Sequence, residues 1–202
     1  MRLRSGDILV LATKNQKKTD EFKLALKPYG LKIMSLSDLN LEAPDETGTD
    51  FKENATIKVQ SCSAHCDWAV LADDSGLCVR ALGGHPGVFT ERWAGPQKDY
   101  AHAMKKINDE VVAIDSHPDR RAEFVCTLAF QFPNRGNTYF FEGRIEGELV
   151  WPTRGSNNMS FDPIFMPNGY KKTFGEMTLE EKLKLSARQL ATQKFIESCI
   201  ES

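Results

Sequence analysis

Apolar positions along this chain recur with two periods, and their alternation sets out the fold. Ile8 to Ala12 is a run of branched and small apolar residues and predicts a buried strand. The polar stretch Thr13 to Lys18 follows as a loop. Asp20 to Leu26 then sets Phe22, Leu24, Ala25 and Leu26 among charges in a helical pattern, which Pro28 and Gly30 end. Leu31 to Leu36 predicts a second strand. A strand, helix and strand in that order favour a parallel pair joined by a crossover helix. After an acidic, turn-rich loop from Leu39 to Asp50, the stretch Phe51 to Cys66 places Phe51, Ala55, Val59, Cys62 and Cys66 on one helical face. Trp68 to Ala72 predicts a strand ending in Asp73-Asp74-Ser75-Gly76. Gln97 to Val112 reads as a helix with Met104, Ile107 and Val111 inward. Phe124 to Phe132 and Thr138 to Phe141 predict antiparallel strands about the turn PNRGN, and Gly143 to Val150 extends the hairpin. Thr178 to Ile200 reads as one long helix. The expected fold is α/β: a mixed, twisted sheet flanked by helices, with two lobes around a central cleft, in a single domain over residues 1–202.

Composition narrows the function classes. With 26 basic and 28 acidic residues the net charge is -2, which gives no global electrostatic case for nucleic acid or a membrane surface. A local basic cluster can still hold a small anion. The 5 cysteines are odd in number and form no CxxC pair, so reduced thiols in a cytoplasmic protein are expected. The apolar run at the N-terminus is too short for a signal sequence, and no segment is long enough to span a bilayer.

Four stretches carry candidate chemistry. Thr13 to Lys18, TKNQKK, would place backbone N–H groups, a hydroxyl, the Asn15 amide and Lys14, Lys17 and Lys18 at a helix N-terminus, a composition suited to a phosphate chain. The same residues equally make a solvated helix start, and the glycines of a Walker loop are missing. Asp73 and Asp74, with the loop acids Glu42, Asp45 and Glu46, offer the hard oxygens that magnesium prefers. Adjacent residues of a strand face opposite ways, so the two aspartates are not expected to chelate one ion together. The alternative is an Asx turn at a strand end. Ser160 to Tyr170 sets Asp162 among apolar and aromatic residues, as a slot for a flat base or as a loop that caps the core. Lys182 and Ser186 share one face of the last helix, where a solvated face is the ordinary outcome. The four histidines do not cluster, and Ser75 lies in no GxSxG elbow.

Taken in order, these segments resemble the inosine triphosphate pyrophosphatase (Ham1-like) family. The resemblance is carried by Thr13, Asn15 and Lys18 with Glu21, by Asp45-Glu46-Thr47-Gly48 and by Glu53-Asn54-Ala55. It continues through Ala72 to Leu77 (ADDSGL), Leu82 to Gly87, Arg92 to Gly95, Glu142 to Gly147 (EGRIEG), Arg154-Gly155, Asp162 to Phe165 (DPIF) and Glu180 to Lys182. It implies a magnesium-dependent homodimer that cleaves a nucleoside triphosphate between the α- and β-phosphates, with ITP, dITP and XTP as substrates. It implies Asp74 as the catalytic acid and a metal ligand. It puts the second metal position on Asp45, with Glu46 as a substitute. Thr13, Asn15, Lys18, Ser75, Ser160, Phe161, Asp162, Lys182 and Arg188 become substrate contacts.

Two departures fall where the family holds the base. Met159 stands where a stacking Phe is usual, and Ala187 stands in place of the His of an SHR motif, leaving Arg188 to donate to a base oxygen. The phosphate half is therefore expected intact and the base half altered. The alternatives are the same reaction with changed base choice, or a nucleotide-binding protein with weakened catalysis.

Overall fold

The computed structural model describes residues 2–115, 117–133, 136–157 and 160–201. The strands are β1 (Ile8–Leu11), β2 (Lys32–Ser35), β3 (Ala69–Val79), β4 (Arg121–Gln131), β5 (Thr138–Leu149) and β6 (Phe165–Pro167). The helices are α1 (Gln16–Leu26), α2 (Phe51–Ser63), α3 (Thr90–Trp93), α4 (Tyr100–Ile114), α5 (Leu179–Leu183) and α6 (Ala187–Cys199). The six strands form one mixed sheet in the order β2-β1-β3-β4-β5-β6. The α/β expectation holds.

The chain forms two compact units. Unit 1 comprises Met1–Asp74, Cys126–Gly143 and Arg188–Ser202. In it β1 pairs in parallel with β2, Ile8 opposite Lys32 through Leu11 opposite Ser35, and in parallel with β3, Leu9 opposite Ala69. A parallel pair cannot be closed by a tight turn, and α1 is the crossover between β1 and β2. The uninterrupted run of Leu9, Val10 and Leu11 is fully buried, as a strand covered on both faces requires. Val10, Val70 and Ala72 of the strands pack with Ala55, Val59 and Cys62 of α2, which is the apolar face the sequence predicts.

Unit 2 comprises Ser75–Val125 and Arg144–Ala187. Here β5 and β6 run antiparallel, Gly147 opposite Pro167. Ala103, Met104, Ile107 and Val111 of α4 pack into a core with Leu77 and Val79 of β3 and the rings of Phe161, Phe165 and Phe174. Phe124 meets Phe165 edge-on at 4.8 Å between ring centroids, a favoured aromatic geometry.

Three boundaries depart from the sequence reading. The strand that begins at Ala69 does not stop at the paired aspartates but runs through them to Val79. Leu77 and Val79 are fully buried, so the chain has apolar surface to bury beyond the acids and no reason to turn there. The long C-terminal pattern is two helices. α5 opens on a capping box, in which Thr178 accepts from the Glu181 N–H, and it closes at Lys184. Hydrophobic period does not register so short an interruption. The DPIF segment supplies a 3-10 turn over Asp162–Ile164 and then β6, a strand the sequence reading leaves as loop. Part of the PNRGN turn, Asn134 and Arg135, lies outside the described residues.

Candidate active site

The turn after β1 builds the first part of the site. Asn15 is the N-cap of α1, and its side-chain oxygen accepts from the Lys18 N–H at 3.3 Å. Thr13 Oγ1 accepts from the Asn15 N–H at 3.1 Å. These two polar side chains therefore shape the loop that presents the positive end of α1. One turn into the helix, Lys18 and Glu21 sit three apart on one face. Lys18 Nζ lies 3.1 Å from Asp73 Oδ2.

Asp73 and Asp74, as strand neighbours, meet different partners. Asp73 is buried and is held by Lys18 and by Arg188, whose Nη2 donates to Asp73 Oδ2 at 3.2 Å. Arg188 also pairs with the buried carboxylate of Glu21. Burial alone would raise the Asp73 carboxyl, but Lys18 and then Arg188 outweigh it and hold the group well below the usual carboxylate range. Asp74 has the opposite balance. Burial dominates and pushes its carboxyl up, against Lys58 and with help from the negative charge of Glu46.

Asp74 meets α2. Lys58 Nζ donates to Asp74 Oδ1 at 2.8 Å and to the Asp73 carbonyl oxygen at 3.0 Å, and it lies 2.6 Å from Glu46 Oε1. The Asn54 amide donates to Asp74 Oδ2 at 3.3 Å, and its carbonyl accepts from the Gly48 N–H at 2.8 Å. Asn54 thereby ties the acidic loop to β3. Gly48 has to be glycine at that contact, because a Cβ would stand 2.7 Å from Asn54 Oδ1. Sequence reading missed Asn54 and Lys58 as site residues. Their signal was polar side chains four apart on the face of α2 that also buries Ala55, Val59 and Cys62.

Of the two loop acids, the structure turns Glu46 toward Asp74 through Lys58, while Asp45 is exposed. Among the described residues no group of three or more His, Cys, Asp and Glu side chains is arranged around a metal position. Two carboxylates whose oxygens converge on one cation, here the Lys58 ammonium, do match what magnesium asks of a protein. That ion takes one or two carboxylates and completes its shell with water and phosphate oxygens. The residues present therefore fit the ion, with Glu46 in the role the sequence reading gave first to Asp45.

Unit 2 gathers the predicted base residues. Asp162 and Lys182 are both buried, and Lys182 Nζ donates to Asp162 Oδ2 at 2.6 Å. The solvated face considered for Lys182 and Ser186 is not what forms, since both side chains are buried. The Phe161 ring is enclosed and meets Tyr100 edge-on at 5.7 Å. It serves the core and offers no open face to a base. Ser160 sits at φ 46, and its hydroxyl donates to Glu91 Oε1 at 3.4 Å. Tyr100 donates to the other oxygen of Glu91 at 2.7 Å. Ser75, the residue after Asp74, is half-buried. Met159 lies outside the described residues. Ala187 is buried at the start of α6 and brings no imidazole. Arg188, expected to donate to a base oxygen, has its guanidinium committed to Asp73 and Glu21.

Known proteins match this sequence over nearly its whole length. The chain is 43% identical over 210 residues to a dITP/XTP pyrophosphatase of Bradyrhizobium diazoefficiens, covering 100% of this chain and 99% of the relative. It is 39% identical over 215 residues to the dITP/XTP pyrophosphatase of Agrobacterium fabrum, covering 100% of both. Its fold superposes on that of a HAM1 protein from Coxiella burnetii with a TM-score of 0.87 at 33% identity, covering 94% of this chain and 96% of the other. A model of the Ham1 family matches residues 9–198, and the chain belongs to that family.

Proposed function

We propose that this protein is a nucleoside triphosphate pyrophosphohydrolase acting on the deaminated purine nucleotides ITP, dITP and XTP. It would cleave between the α- and β-phosphates, releasing a nucleoside monophosphate and pyrophosphate, and so clear such nucleotides from the pool. The observation that carries this reading is identity of about 40% to dITP/XTP pyrophosphatases along the full length of the chain.

The cluster in unit 1 supplies the chemistry. In hydrolysis the oxygen of water bonds to phosphorus, the bridging P–O bond breaks, and the water proton must be accepted. Asp74 carries that proton on a carboxylate whose burial has raised its affinity for one. Thr13, Asn15 and Lys18 at the start of α1 bind phosphate oxygens, and Ser75 adds a hydroxyl. Such a reaction needs positioning and charge stabilisation more than covalent help. Magnesium, held by Asp74 and Glu46, would neutralise charge on the phosphate oxygens when bound. Asp162 and Lys182, with Ser160, are assigned to the base. The same proposal includes a homodimer and a cytoplasmic location.

A second reading concerns selectivity. Ala187 removes a base-reading imidazole, and Arg188 is engaged by carboxylates. One lost hydrogen bond is worth about 0.5–1.5 kcal/mol, about two- to twelvefold in discrimination. ITP and XTP should remain preferred, less sharply than in a relative with the full motif.

The test is pyrophosphate release across ITP, dITP, XTP, ATP, GTP, dUTP and dTTP with magnesium. Equal rates on GTP and ITP would overturn the substrate assignment. Asp74→Asn should abolish turnover while leaving the circular dichroism spectrum unchanged. Turnover retained in that variant removes Asp74 from the mechanism. Tight nucleotide binding without pyrophosphate release would show a binding protein instead.

A further inference from the structure

Ser160 carries backbone strain two residues before the carboxylate assigned to the base. Its φ of 46 lies in the left-handed region, where a Cβ crowds the following carbonyl and glycine is the residue at ease. Something must hold a serine there, and its neighbours within unit 2 supply the hold. Glu91 of α3 is exposed, yet its carboxylate accepts from two hydroxyls. Tyr100 of α4 donates to Glu91 Oε2 at 2.7 Å, and Ser160 Oγ donates to Glu91 Oε1 over a longer 3.4 Å. The Tyr100 ring also meets the enclosed Phe161 ring edge-on, 5.7 Å between centroids. Burial, and then the bond to Glu91, push the Tyr100 phenol up to about 12, so it stays a donor at neutral pH.

Both anchors stand on fixed elements. Thr90, beside Glu91, accepts from the Leu77 N–H at 3.0 Å and ties α3 to β3. α4 buries Ala103, Met104 and Ile107 in the core. Asp162 follows Phe161 directly. Its Oδ2 accepts from Lys182 at 2.6 Å, and its carbonyl accepts from the Gly175 N–H at 3.0 Å. Those contacts hold Asp162 from the side of the chain that follows it. Glu91 and Tyr100 hold the two residues that precede it.

We infer that Glu91 and Tyr100 are positioning residues for base recognition: together they grip Ser160 and Phe161 and so set where the Asp162 carboxylate meets a purine base. This rests on the reading above that assigns Asp162 to the base. Neither residue needs to touch the nucleotide. What they support is binding of the base, which is the same in the ground state and the transition state. Their loss therefore raises KM and leaves kcat in place.

The experiment is steady-state pyrophosphate release from ITP by the native protein, Glu91→Ala, Glu91→Gln, Tyr100→Phe, the double variant Glu91→Ala/Tyr100→Phe, and Asp162→Asn as the reference. Glu91→Ala should raise KM for ITP about fivefold or more with kcat within about twofold, as expected for lost hydrogen bonds to a charged group. Glu91→Gln, whose amide can serve both hydroxyls, should bring KM to within about twofold of native. Tyr100→Phe keeps the ring against Phe161 and should show a smaller rise. The double variant should be no worse than Glu91→Ala, because the Tyr100 hydroxyl acts through Glu91. An unchanged KM in Glu91→Ala overturns the inference. So does a lower kcat at native KM, which is what loss of folded protein alone would give, and so does an additive double variant. A raised KM in Asp162→Asn with an unchanged KM in Glu91→Ala sinks the grip and leaves the base assignment standing. If the native protein releases no pyrophosphate from ITP, or Asp162→Asn changes nothing, the base assignment falls and a crystal structure of Glu91→Ala judges the grip. Ser160 should then leave the left-handed region and Asp162 should move with it. A segment 160–162 that superposes on the native one overturns the inference.

Discussion

Replacing Arg188 with methionine separates two roles for that residue. Methionine keeps much of the stem's volume and removes the charge. The guanidinium is 11% exposed, and its partners Glu21 and Asp73 are 4% and 1% exposed. Asp73 would retain Lys18 at 3.1 Å, whereas Glu21 would lose its buried guanidinium partner. Removing one partner of a buried ion pair costs about 3–5 kcal/mol. For a chain of this size each kcal/mol is worth about 2–4 °C, so the melting temperature should fall by about 6–20 °C. Adding Glu21→Gln to Arg188→Met should return part of the loss, because no charge is then abandoned. The pH dependence follows from Asp73. Its folded-state pKa lies below the unfolded value, so ionised Asp73 contributes stability above the unfolded pKa and loses it as pH falls toward the folded one. Losing Arg188 raises the folded pKa and shrinks that contribution. The gap between variant and native protein should therefore be widest near neutral pH and narrow on acidification. Differential scanning calorimetry across pH, with ITP and GTP kinetics on the same samples, reads all of this. An Arg188→Met protein that melts within about 2 °C of the native one but no longer prefers ITP would refute the reasoning and return Arg188 to the base.

Two further substitutions probe unit 2. In Gly76→Ala the new Cβ would stand 2.3 Å from the Gly87 carbonyl oxygen and 2.6 Å from Thr90 Oγ1. Backbone cannot yield as a side chain does, so the urea midpoint should drop by the equivalent of about 1–3 kcal/mol with the slope unchanged; an unchanged midpoint shows that β3 shifts freely there. Lys182→Met takes the ammonium away from the buried Asp162 carboxylate and should cost about 3–5 kcal/mol in the same titration, with Asp162→Asn as the partial rescue. If the double variant is no more stable than Lys182→Met, the pair does not carry the effect.

The sequence by itself determined the local elements and the inventory of reactive groups. The run Ile8 to Ala12 and the helical face of Ala55, Val59 and Cys62 lie where their periods place them, because an apolar residue's preference for burial does not depend on which partner buries it. The succession of short motifs likewise sufficed to indicate the Ham1 family, which the family match over residues 9–198 bears out. Only the tertiary structure decided who pairs with whom. Arg188 and Asp73 are separated by 115 positions, and nothing in either local sequence indicates that this guanidinium belongs to carboxylates of β3 and α1 and not to a base. The same holds for Glu46 meeting Lys58 while Asp45 is exposed, and for Lys58 between two acids. Electrostatic roles depend on distance and on the loss of water around a charge, and both are fixed when the elements pack.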